Sequence, residues 1–137
     1  MGKVIVQIKV TNLKDAFLQE EGARKADPRA VETEALVDTG ATRLYLKPSV
    51  IRALGLRATD TIQSKTTNGL RTRQVYQPVR LEIMGRHGEF NVVDVDEDVP
   101  NLVGQIPLEY LDFVVDPKRQ ALVPNPEHGE RQMTEEY

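Results

Sequence analysis

The stretch Glu34-Ala35-Leu36-Val37-Asp38-Thr39-Gly40-Ala41-Thr42 decides how this chain is read. Residues 31–37 read as a strand that is apolar where it reaches Asp38. The acid is followed by Thr39-Gly40, a pair suited to a sharp bend. Taken alone, Asp-Thr-Gly is an ordinary turn. Delivered by an apolar strand and followed by the small Ala41, the carboxyl of Asp38 is expected where the core meets solvent, a place suited to acid–base work.

Upstream, Val4, Val6, Ile8 and Val10 alternate with Ile5, Gln7 and Lys9. Period-two alternation of β-branched residues marks a strand. It is expected to pair with 31–37 in a hairpin whose tip is the charged insertion 13–30, with room for a short helix around 14–21. Downstream, Pro48 and Gly55 suit the first turn and the cap of a short helix over 48–54. Residues 61–67 and 70–76 flank Asn68-Gly69, the strongest short hairpin signal. That hairpin is mostly polar and is expected to project from the body. Val79, Leu81 and Ile83 alternate again, 85–88 turn the chain, and 90–95 return. After the acidic run at 94–98 come Leu102-Val103-Gly104, a short helix over 107–111, and a last hairpin of 113–115 with 121–123. From residue 124 the sequence is polar and aperiodic, and disorder is expected. Many short strands with frequent turns predict an all-β barrel or sandwich with one or two short helices. The expected division is one domain over 1–123 and a tail over 124–137.

Composition narrows the chemistry. The 137 residues carry a net charge of -3 with both signs interspersed, so neither a nucleic-acid nor a membrane partner is expected. Cysteine is absent, which removes disulfides, thiol nucleophiles and Cys-based zinc sites. Its absence suits a reducing compartment, and a cytoplasmic location is expected. The first residues hold no apolar run of signal-peptide length. Gly2 does not complete a myristoylation pattern, because position 6 is Val. The chain is expected to be soluble and unprocessed.

With these residues in view, the chain resembles the retropepsin-like aspartic proteases over about residues 4–123. Three features carry the resemblance, in the family's order: Leu36-Val37-Asp38-Thr39-Gly40-Ala41, the hairpin around Asn68-Gly69, and Leu102-Val103-Gly104 before a short helix. The helix over 48–54 is more like the cellular and bacterial members than the compact viral ones. The resemblance implies an acid-protease barrel assembled as a two-fold homodimer, acting on peptides or proteins without a cofactor. The catalytic mechanism needs two carboxylates about 3 Å apart sharing one proton. This sequence holds one Asp-Thr-Gly and is too short for the two-lobed form, so the second Asp38 must come from a second copy.

The resemblance also assigns roles. Asp38 would be catalytic, Thr39 would bond across the two-fold axis, and Gly40 would admit the substrate backbone. Ala41, Asn68, Gly69, Leu70 and Val103 would contact substrate, while Leu102 and Gly104 would support the catalytic loop. Ala41 offers no hydroxyl to an ionised pair, so activity is expected at mildly rather than strongly acidic pH. The sequence departs from the viral members in a flap with one glycine, made basic by Arg71 and Arg73, and in Gln105 after the glycine of the triplet.

Other readings are weaker. Asp94, Asp96, Glu97 and Asp98 lack the glycine and distal Glu of a calcium loop and read as a solvated turn. Arg71 and Arg73 read as solvated strand positions. His87 and His128 have no metal-ligand spacing. The alternative function is a non-catalytic dimer of the same fold that binds a peptide or an assembly partner.

Overall fold

Alternation in the first strand is realised as burial: in β1 (Ile5–Asn12), Ile8 and Val10 enter the core while Ile5, Gln7 and Lys9 stay at the surface. The computed structural model describes residues 3–67, 69–129 and 132. After β1 come α1 (Leu13–Glu20), β2 (Ala30–Val37), β3 (Leu44–Leu46), α2 (Pro48–Leu54), β4 (Ala58–Thr66) and β5 (Gly69–Ile83). The chain continues with β6 (Arg86–Asp94), β7 (Leu102–Val103), α3 (Gln105–Leu111), β8 (Phe113–Asp116) and β9 (Ala121–Pro124). The described residues thus form a mostly-β fold with three short helices, one more than the upper expectation.

Seven strands form one sheet in the order β1-β2-β7-β3-β6-β5-β4, and β1 also pairs with β5, Val10 opposite Leu81. β7 is wedged between β2, which it meets in parallel, and β3, which it meets antiparallel. Leu44, Leu46, Leu54, Leu81, Val92 and Val103 make the centre of the core. The expected strands at 70–76 and 79–83 are one strand, β5. Gln77-Pro78 oppose a single residue of β6 in a bulge, which lets the strand carry a proline without losing its ladder. The following turn sits at Met84-Gly85, both at positive φ, rather than at 85–88, and Arg86 already pairs with Ile83.

β1 and β2 form the expected hairpin, and the insertion between them is built rather than loose. The Asn12 side chain caps α1 by accepting from the Asp15 amide at 3.1 Å, and donates to the Leu54 carbonyl at 2.8 Å. Asp15, 3 % exposed, accepts from Arg29 Nε at 2.8 Å, Arg29 Nη2 at 3.0 Å and the Arg29 amide at 3.1 Å. The Arg29 side chain outweighs the opposing effect of burial and brings the Asp15 carboxyl down to about 2. A depressed carboxyl stabilises the fold above its ordinary value near 3.8 and ceases to do so as pH falls through about 2. Asp15→Ala is therefore expected to cost about 2 kcal/mol at neutral pH. The difference should shrink when denaturant midpoints are measured towards pH 2. A mutant equal in stability to wild type at pH 7 would contradict this clamp.

At the other end, β9 extends pairing to Pro124, and the next residues fold back. Asn125 Nδ2 donates to Asp112 at 3.2 Å, and His128 Nδ1 meets the same carboxylate at 2.6 Å. Residues 125–129, expected as the start of a disordered tail, are thus tied to the end of α3. Residues 130, 131 and 133–137 of that expected tail lie outside the described residues.

Candidate active site

Asp38 follows β2 directly, and its amide continues that strand's pairing by donating to the Val103 carbonyl at 3.0 Å. The chain then bends. Ala41 N donates to the Asp38 carbonyl at 3.1 Å, and Gly40 N donates to Asp38 Oδ1 at 3.0 Å. The second bond closes a side-chain turn that fixes the orientation of the carboxylate. Asp38 is half-buried, while Thr39 and Gly40 are exposed. Gly40 has no need of left-handed backbone: a Cβ there would meet Asp38 Oδ1 at 3.3 Å, so its small size keeps the carboxylate face open.

The loop is held from beneath by α3. That helix has no side-chain cap. Gly104 N donates to Arg43 O at 2.8 Å, Gln105 N to Ala41 O at 2.8 Å, and Ile106 N to Thr42 O at 2.9 Å. Three donors that a helix start would leave unpaired are therefore spent on three successive carbonyls of the Asp38 loop. A Cβ on Gly104 would lie 2.5 Å from Arg43 O and 2.7 Å from Ala41 O, so close approach is what requires glycine here.

Asp38, Thr39, Gly40, Ala41, Leu102, Val103 and Gly104 are thus brought together. Within the triplet, burial differs from residue to residue. Val103, expected to contact substrate, is 0 % exposed and lies between β2 and β3, where it supports the loop. Leu102, expected only as support, is half-exposed and stands opposite Leu36 and Tyr45. Leu36 in turn stands opposite the exposed Ile5. Paired residues share a face, so Ile5, Leu36, Leu102 and Tyr45 make one apolar row across four strands. Period two places Asp38 on the side of Leu36.

The β4–β5 hairpin carries Gly69 and Leu70 at its tip, and Leu70 is 71 % exposed. Its closing pair is Thr66 with Gly69, and Thr66 Oγ1 donates to Gly69 O at 2.8 Å. Gly69, expected within the turn, is thus already paired with Thr66. Gly69, at φ 105, is the first paired position, a backbone state that a side chain would resist. Asn68, the other expected substrate contact of the tip, lies outside the described residues.

The acidic run is the solvated turn that its composition suggests, with Asp96, Glu97 and Asp98 exposed, and three of its acids are hydrogen-bonded. Asp94 Oδ1 accepts from Gln74 N at 3.0 Å. Asp96 accepts from Arg71 Nη1 at 2.9 Å and from Arg73 Nη1 at 3.1 Å. Glu97 accepts from Ser49 N at 2.9 Å and Ser49 Oγ at 2.6 Å. Hydrogen bonds from Arg73 and then Arg71 hold the Asp96 carboxyl below its ordinary range, and those from Ser49 do the same for Glu97. Both acids therefore stay ionised into mildly acidic pH. No single-residue pattern marks these partners, which lie 20 or more positions apart.

Among the described residues no helix is long and apolar enough to cross a membrane. No curated protein matches the chain. The family model described as aspartyl protease matches residues 26–105, more than half of the chain and the whole stretch from before β2 to the first residue of α3. With its Asp38 loop seated on the Leu102-Val103-Gly104 triplet, this chain belongs to the aspartyl protease family, in the retropepsin-like clan.

Proposed function

We propose that this chain is an aspartic endopeptidase in which two copies pair about a two-fold axis and bring Asp38 of one against Asp38 of the other. The observation that carries this is the built loop: its one Asp-Thr-Gly acid is held by the Gly40 amide and cradled by the start of α3. Such preorganisation suits a residue whose position matters to a reaction. A chain with one such acid needs a second copy to form the pair.

The chemistry follows from the shared proton. The ionised carboxylate takes a proton from a water lying between the two acids, and the water oxygen bonds to the scissile carbonyl carbon. The protonated partner hydrogen-bonds the carbonyl oxygen as it becomes tetrahedral. When the C–N bond breaks, a carboxyl proton passes to the leaving amine, which leaves a carboxylic acid and an amine. Thr39 would bond across the axis beside the pair. The substrate would lie extended, as an added strand between the β4–β5 hairpin and a floor formed by Leu36, Leu102 and their row. Ala41, Asn68, Gly69 and Leu70 would complete the subsites. The closed β1–β5 pairing supports an acid-protease barrel around this floor. No cofactor takes part.

Cleavage of a mixed peptide library, followed across protein concentration alongside sedimentation, tests this reading. Activity per protomer is expected to rise with concentration and to level off as the dimer saturates. It is expected to peak at about pH 5 and to decline below about pH 4. Full activity in a monomer would overturn the composite site. A dimer that binds peptides and cuts none would favour the non-catalytic alternative.

A further inference from the structure

We propose that Asp96 is a positioning residue that fastens the β4–β5 hairpin to the loop leading into β7, by dividing its carboxylate between Arg71 and Arg73. The two arginines stand two residues apart on β5 and reach different oxygens of one acid, 2.9 Å from Oδ2 and 3.1 Å from Oδ1. Alternation puts them on one face of the strand, so both can reach one anchor. Arg73 is largely covered, its side chain 16 % exposed. Near the tip the hairpin pairs only with its own partner strand; β6 begins to pair with β5 at Val75. Residues 69–74 thus gain a second attachment from Asp96, and Asp94 adds a third through the Gln74 amide.

The anchor itself is fixed. Glu97, the next residue, holds the start of α2 through Ser49. Consecutive acids therefore face apart, one to the hairpin and one to the helix. The same loop runs on to Asn101, whose carbonyl accepts from Leu36 N at 2.7 Å, and then into β7 beneath Asp38. Hairpin, α2 and the Asp38 loop are thus joined through one continuous segment, residues 94–103. None of the three latch residues bonds to Asp38, so their effect on hydrolysis would run through substrate binding. An exposed ion pair is screened by salt, so the hairpin should loosen as ionic strength rises. The kinetic consequence rests on the peptidase reading; the attachment of the hairpin does not.

Hydrogen exchange of the whole chain, read by mass spectrometry, tests the attachment without reference to activity. Asp96→Asn is expected to speed exchange of amides in residues 59–74 about threefold or more, with β1 and β2 unchanged. Asp96→Glu should restore most of the protection, and about 0.5 M salt should move wild type towards the Asn variant. Equal hairpin exchange in wild type and Asp96→Asn, or an increase spread evenly over β1 and β2, would overturn the proposal. With a cleavable peptide, Asp96→Asn should raise KM about threefold or more while kcat stays within about twofold. A fall in kcat at unchanged KM would overturn the positioning role. If wild type cuts no peptide, the peptidase reading fails while the exchange result still decides the latch.

Discussion

Asp38→Asn is expected to lower peptide hydrolysis by about 10³-fold or more while leaving the fold intact. The isosteric amide keeps an oxygen where Oδ1 accepts from the Gly40 amide at 3.0 Å, so the turn over 38–41 survives. What is lost is the proton chemistry: an amide neither takes a proton from water nor supplies one to the amine. Circular dichroism and the thermal midpoint should therefore match wild type. Mixing adds a sharper test. Excess Asp38→Asn protein should capture wild-type protomers in mixed dimers holding one carboxylate. Activity should then fall as the square of the wild-type fraction, whereas a self-sufficient protomer would give a linear fall. Unchanged hydrolysis in the Asn variant would remove Asp38 from the reaction.

Gly104→Ala should damage both stability and activity, by a different route. The added Cβ would lie 2.5 Å from Arg43 O, 2.7 Å from Ala41 O and 2.8 Å from Ala41 C. All three are backbone atoms, so no side chain can swing away. Either α3 or the Asp38 loop must move, and the three amide bonds to Ala41, Thr42 and Arg43 lengthen together. Overpacking with strained hydrogen bonds is expected to cost about 3 kcal/mol. In a chain of this size that lowers the thermal midpoint by roughly 10 °C. Activity at a temperature where the variant is folded should still fall at least about tenfold, because a displaced loop misplaces Asp38. A variant with wild-type midpoint and rate would show that the loop tolerates the intrusion.

Much of this architecture was legible from local pattern. Alternation marked β1, Pro48 and Gly55 marked α2, and Asp-Thr-Gly after an apolar strand marked the acid. These signals work because strand faces, helix ends and tight turns depend on residues that are neighbours in sequence. Other features were misplaced by one step. The turn read at 85–88 sits at Met84-Gly85, because a glycine at positive φ serves as well at the second position of a turn as at the first. The apolar pair Leu102-Val103 does not say which of the two points inward; register puts Val103 in the core.

Local pattern was enough to show that this chain is mostly β and roughly where its strands and helices run, and to single out Asp38 of Asp-Thr-Gly as the candidate acid. What those elements do to one another came only with the packed fold. It spent the amides of α3 on the Asp38 loop, closed β1 onto β5, aligned Ile5, Leu36, Leu102 and Tyr45 in one row, and turned three acids into anchors for the hairpin and α2. Each of these joins residues far apart in the chain. Their meeting is set by strand order and register, which emerge when the whole core packs and which no local stretch of sequence carries.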